Sequence, residues 1–184
     1  MLDSLPDYAH RRPYILQGAE PEDVSDVVHG MRESDRFEFA AFGHVPEDAW
    51  HVSAVSKDIY TAYVGHRAVF IFGTVEVLPG VRQLFGFGTP QTRRAMPAVT
   101  WFTKTFWLPE MAEAGVRRIQ VHVPRESTDS LKWLQSFGMR VECEMPDYAA
   151  NDATMLQLAF TRKDFQTHVL LQETEYAADG DSPG

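Results

Sequence analysis

The chain has 184 residues with 44% hydrophobic content, enough to bury one substantial core and too few for a second full domain. Its formal charge is -9, from 17 basic and 26 acidic residues, so the surface as a whole should repel DNA, RNA and anionic membranes, which disfavours generic nucleic-acid binding. One cysteine, Cys143, rules out an internal disulfide, and the absence of a signal-peptide pattern or an 18-residue apolar stretch points to a protein of an intracellular or otherwise enclosed compartment.

Residues 1–12 read as an N-terminal arm, followed by a short strand over Tyr14–Ala19. Pro21 suits the first turn of a helix, with Glu20, Glu22 and Asp23 at its positive end and Val24, Val27, Val28 and Met31 as its apolar stripe. A second helix is expected over Ser34–Phe42, capped by Ser34 with Phe37, Ala40 and Ala41 inward, and a third over Pro46–Lys57 carrying Ala49, Trp50, Val52 and Ala54. The period then changes. Ile59–Val64, Ala68–Leu78 and Val81–Gly88 are rich in β-branched and aromatic residues and are separated by turn signals, which predicts three consecutive antiparallel strands.

Gly86, inside the third of these, marks a bulge or a close approach to the backbone. From Gly88 the chain runs through a short basic loop into a helix expected from Pro97, with Ala98, Trp101, Phe102, Thr105 and Phe106 on one side and Pro109 interrupting it. A helix N-terminus after a strand favours an anion, and residues 82–118 hold six Lys or Arg against Glu110 and Glu113, although an ordinary connection with solvated arginines fits the spacing too. Val116–Val123 is the next strand, with Ile119, Val121 and Val123 alternating with Gln120 and His122. Ser127–Phe137 follows as a helix, then Met139–Met145 and Ala153–Arg162 as an antiparallel pair in which Cys143 is a small buried side chain. Residues 163–184 form an acidic extension with a short helix over Phe165–Leu171.

This order, an α/β (α+β) mixed-sheet single domain over 13–162, resembles the GNAT acyl-CoA N-acyltransferase fold. More narrowly, it is similar to small tailed-phage proteins described as acetyltransferase-like or related to an internal virion protein. The residues carrying this are Met31 to Asp35 followed by Glu38, the segment Phe85–Pro90 with Arg93 and Arg94, and Ser130 to Leu134 ahead of Phe137-Gly138-Met139. The resemblance implies acetyl-CoA as acyl donor, an amine as acceptor, phage virion proteins as partners in the narrower likeness, and a location in the host cytoplasm or the virion.

In the family the strand-to-helix loop binds the coenzyme pyrophosphate, which implies Thr89, Thr92, Arg93 and Arg94 for the phosphates, while the backbone near Phe87 and Gly88 would hold the thioester carbonyl and its developing oxyanion. Here the two glycines precede the loop and Pro90 lies inside it. The family's later Asn and Tyr positions fall on Ser127 and Leu134, so Ser127 joins the cofactor set while the tyrosine that protonates the departing thiolate is replaced by leucine. His122 is the candidate base, and Glu33 and Glu38, on the helical side of the acceptor cleft, are candidates to receive a cationic amine; each also reads as an ordinary solvated or hydrogen-bonded side chain. Two functions follow: an N-acetyltransferase, or a catalytically reduced GNAT scaffold serving as a virion or assembly protein.

Overall fold

The structure, a computed structural model, describes residues 13–56, 58–150, 152–165 and 167. The expected N-terminal arm, most of the acidic extension and most of the helix over Phe165–Leu171 lie outside these residues. The strands are β1 (Tyr14–Gln17), β2 (Asp58–Val64), β3 (Arg67–Leu78), β4 (Val81–Gly88), β5 (Arg118–Pro124), β6 (Arg140–Met145) and β7 (Met155–Thr161). They form one sheet in the order β1-β2-β3-β4-β5-β7-β6, antiparallel except between β4 and β5. No described helix is long and apolar enough to cross a membrane.

Helices cover both faces. On one lie α1 (Pro21–His29), α2 (Glu33–Ala41) and, after a 3-10 turn over Pro46–Asp48, α3 (Ala49–Val55). There Val24, Val27, Val28 and Met31 pack on Ile59, Ile71 and Phe87, as the apolar stripe of the first helix predicts. The other face carries α4 (Thr92–Phe102), a π-helical segment (Thr103–Trp107), α5 (Leu108–Glu113) and α6 (Thr128–Gln135) over a larger core that includes Phe70, Phe72, Val99, Trp107, Leu134 and Leu158. Central β3 is therefore buried without a break from Ala68 to Thr74, which is why its sequence is a continuous apolar run and not an alternation. The core also continues past residue 162, since Phe165 is buried edge-on to Phe160 at 4.7 Å.

One break in the sheet makes the site. β4 and β5 pair only at Val81–Arg118, Arg82–Ile119 and Gln83–Gln120. Beyond Gln83, β4 stays with β3 as far as Gly88, and β5 stays with β7 as far as Pro124. Each strand follows its outer neighbour, and the two diverge.

Several helical faces differ from the sequence reading. The helix expected from Pro97 begins at Thr92 with Pro97 inside it, at the loss of one backbone bond. Pro109 has no N–H for the carbonyl of Thr105, and the ladder immediately before it lengthens to π spacing. The extra residue turns the face. Trp101 and Phe106, expected inward, are 60% and 50% exposed and meet edge to face at 5.1 Å, while Thr103 and Trp107 are buried. On α2 the N-cap is Arg32, not Ser34; Phe37 and Ala40 face outward, and Asp35 is buried. On α3, Trp50 and Ala54 are exposed and Ala49 carries the packing. Cys143 is exposed, because β6 is the sheet edge and the residues around it lie open on both faces.

Candidate functional site

The divergence of β4 and β5 opens a cleft of about 910 Å³ that runs through the sheet. Its walls come from α2, the ends of both strands, α4, α6 and the turn between β6 and β7. Asp35, Glu38, Phe39 and Phe42 follow at helical spacing along α2 and its C-terminus, and all four line it.

Two carboxyls on one buried face must be matched or neutralised. Asp35, 2% exposed, is matched: Arg32 Nε donates to Oδ1 at 2.7 Å, Ser34 Oγ to Oδ1 at 3.3 Å, and the Gly88 amide to Oδ2 at 2.7 Å. Burial pushes its carboxyl up, and Arg32, the Gly88 amide and Ser34 oppose that rise. Glu38 accepts on Oε1 from Ser127 Oγ at 3.1 Å. Burial first and the Asp35 charge second push the Glu38 carboxyl up to about 7, against smaller lowering effects of Ser127 and Arg32. A carboxyl titrating near neutrality in a cleft is suited to accept a proton.

The β4 backbone supplies the second component. Thr89 N–H bonds to Val69 O, and Phe87 pairs with Ile71 in the same ladder, so the amides of Thr89 and Phe87 point to β3. Gly88 turns the opposite way, but its N–H is given to Asp35 and its carbonyl accepts from Arg32 N–H at 2.9 Å. A Cβ at Gly88 would fall 2.2 Å from Thr92 Oγ1, so this glycine is required by internal packing. The expected use of Phe87 and Gly88 by a ligand is therefore not met: one amide faces the sheet and the other is engaged. By the same alternation the amide edge of Gly86 faces the divergence, beyond the last β4–β5 pair, and Gly86 lines the cleft. Its Cβ would lie 2.8 Å from Phe70 Cζ, the close approach anticipated in the sequence.

The loop into α4 is also more internally satisfied than expected. Gln91 N–H bonds to Thr89 Oγ1 at 3.2 Å, Thr92 N–H to Thr89 O at 3.0 Å and Arg94 N–H to Gln91 O at 2.9 Å. Thr92 is fully buried and its hydroxyl donates to Val69 O at 2.7 Å, so it has nothing to offer a ligand. Arg93 is exposed and lines the cleft; Arg94 is exposed but does not. Arg82, at the far end of β4, is paired with Asp58 at 2.8 Å.

His122 lines the cleft between Tyr148, at 5.3 Å between ring centroids, and Phe42, at 6.3 Å. Glu33 is exposed and outside the lining, because the rotation of α2 that buries Asp35 carries it to the surface. Ser127 is brought to Glu38. Leu134, 3% exposed, lines the cleft from α6. The structure thus brings together Glu38, His122, Ser127, Gly86 and Arg93. Sequence reading missed Asp35, Arg32 and Tyr148; the i, i+3, i+4, i+7 spacing of Asp35, Glu38, Phe39 and Phe42 was the available signal for the first.

No family model matches the chain, and no curated protein matches it in sequence. Among solved structures it is similar to Ard1 from Thermoplasma volcanium, with a TM-score of 0.67 and 11% identity over 81% of this chain and 97% of that one. It is similar to a GNAT-family acetyltransferase from Bacillus anthracis, at TM-score 0.62 and 14% identity over 81% and 95%. It also resembles YncA of Salmonella typhimurium, described as a putative acetyltransferase with its cofactor acetyl-CoA, at 0.61 and 8% over 82% and 94%. The chain has the GNAT fold.

Proposed function

We propose that the protein is an acyl-CoA-dependent N-acyltransferase in which Glu38 is the base. The observation that carries this is a carboxyl raised to about 7 on the wall of a cleft formed where β4 and β5 part. The cleft suits a coenzyme A thioester: it has room, a β4 edge with the Gly86 amide turned inward, and a cationic side chain, Arg93, on its rim. When bound, acetyl-CoA supplies an activated acyl carbonyl.

Glu38 takes the proton from the acceptor amine as the N–C bond forms, and Ser127 orients its carboxylate by donating to Oε1. The Gly86 amide is placed to donate to the carbonyl oxygen as it gains charge, and Arg93 contributes charge to phosphate binding. The C–S bond breaks and the thiolate takes its proton from water, since Leu134 has none to give. Asp35 holds α2 to the end of β4 and so fixes Glu38 relative to Gly86.

The test is calorimetry with acetyl-CoA, followed by detection of free thiol on adding amines. Binding weakened by Arg93→Glu and unchanged by Arg94→Glu is the expected outcome. No binding at millimolar ligand sinks the proposal.

A second reading is a catalytically reduced GNAT scaffold, motivated by Leu134, buried where the resemblance implies tyrosine; a role as a virion or assembly protein of a tailed phage comes from the sequence resemblance alone. It predicts no coenzyme binding, and copies of the chain in purified particles.

A further inference from the structure

The half of the cleft bounded by α2 and the β6–β7 turn is lined by rings. Phe39 and Phe42 come from α2 and its end, Phe85 from β4, His122 from β5 and Tyr148 from the turn. His122 lies between Tyr148 and Phe42, and Phe39 and Phe85 are each held against Phe87, at 5.9 Å and 6.3 Å between centroids. Such walls favour a flat partner that offers ring faces and edges over a flexible alkyl chain.

The charges on this side suit a cationic group at Glu38. Asp35 has both oxygens occupied by Arg32, Ser34 and the Gly88 amide. Glu38 is the carboxylate on the α2 wall that remains for an ammonium group. Asp129 also lines the cleft, but from α6, the helix that carries Lys132.

The mouth is fastened as well. Ala150 N–H bonds to Ala41 O at 2.7 Å, and Ala41, Ala149 and Met155 form a small buried cluster, so the turn is closed onto the end of α2. That bond sets the turn carrying Tyr148 beside α2.

Resting on the acyltransfer reading above, we infer that the acceptor is an amine with an aromatic body, an arylalkylamine. The proton leaves the amine for Glu38 as the amide forms, as for any acceptor.

The test has two arms. In calorimetry without coenzyme at about pH 8, 2-phenylethylamine should bind about tenfold more tightly than butylamine, an amine of similar basicity. With acetyl-CoA, 2-phenylethylamine should be acylated with kcat/KM about tenfold above butylamine, spermidine and a short peptide with a free N-terminus. Tyr148→Ala should erase the aromatic preference in both arms and leave acetyl-CoA affinity unchanged; Phe42→Leu, which keeps bulk without the ring, should reduce it. Preference for spermidine or the peptide, or an equal loss for all amines in Tyr148→Ala, would overturn the inference while leaving acyltransfer standing. Selective binding of 2-phenylethylamine with no binding or turnover of acetyl-CoA would overturn acyltransfer and retain the ligand class.

Discussion

Replacing Glu38 with glutamine separates the energetics of the cleft from its chemistry. The carboxyl is raised from 4.5 to about 7, chiefly by burial. At about 1.4 kcal/mol per pKa unit this corresponds to roughly 3 kcal/mol of folding free energy, reduced to about 2 kcal/mol by the residual solvent access of the side chain. The sign follows from proton binding. Between the unfolded and folded values the native state holds a proton that the unfolded chain has released. The stabilising contribution is therefore complete below about pH 4.5 and is lost as pH rises through about 7.

Glutamine is neutral throughout and keeps an acceptor for Ser127 Oγ. Glu38→Gln should match the parent protein in urea unfolding at about pH 4 and be more stable by about 2 kcal/mol at about pH 8, with unchanged m-values. It should also abolish amine acylation, and the parent's kcat/KM should rise with pH through about 7. Parallel stability profiles for the two proteins would refute the reasoning, since they would mean that Glu38 is ionised and well solvated in the fold.

Asp35→Ala should cost about 2 to 4 kcal/mol, because it strands the Gly88 amide and the Arg32 guanidinium; thermal and urea unfolding report it, and Asp35→Asn should recover part of the loss. Gly86→Ala places a methyl 2.8 Å from Phe70 Cζ and should cost about 1 to 3 kcal/mol while weakening acetyl-CoA binding in calorimetry. Arg82→Met should leave coenzyme affinity unaltered, since Arg82 is paired with Asp58 and does not line the cleft, and a loss of affinity would mean that the phosphates sit elsewhere.

The sequence by itself determined the order of elements, the three consecutive antiparallel strands and the apolar stripe of α1. These follow from local period and turn chemistry, which each segment carries within itself. It also marked Gly86, Arg93, Glu38 and His122 as residue types with chemistry to offer, all of which line the cleft. Only the tertiary structure decided which groups are free to act. Gly88 and Thr92 looked equivalent to Gly86 and Arg93 in sequence, yet their donors are spent on Asp35 and Val69, partners far away along the chain. The inward face of α2 was set by the same long-range bond from Gly88 to Asp35, which outweighs the burial of Phe37 and turns Glu33 outward. The raised carboxyl of Glu38 comes from its burial and from the Asp35 charge beside it in the folded chain, and no local pattern records that burial.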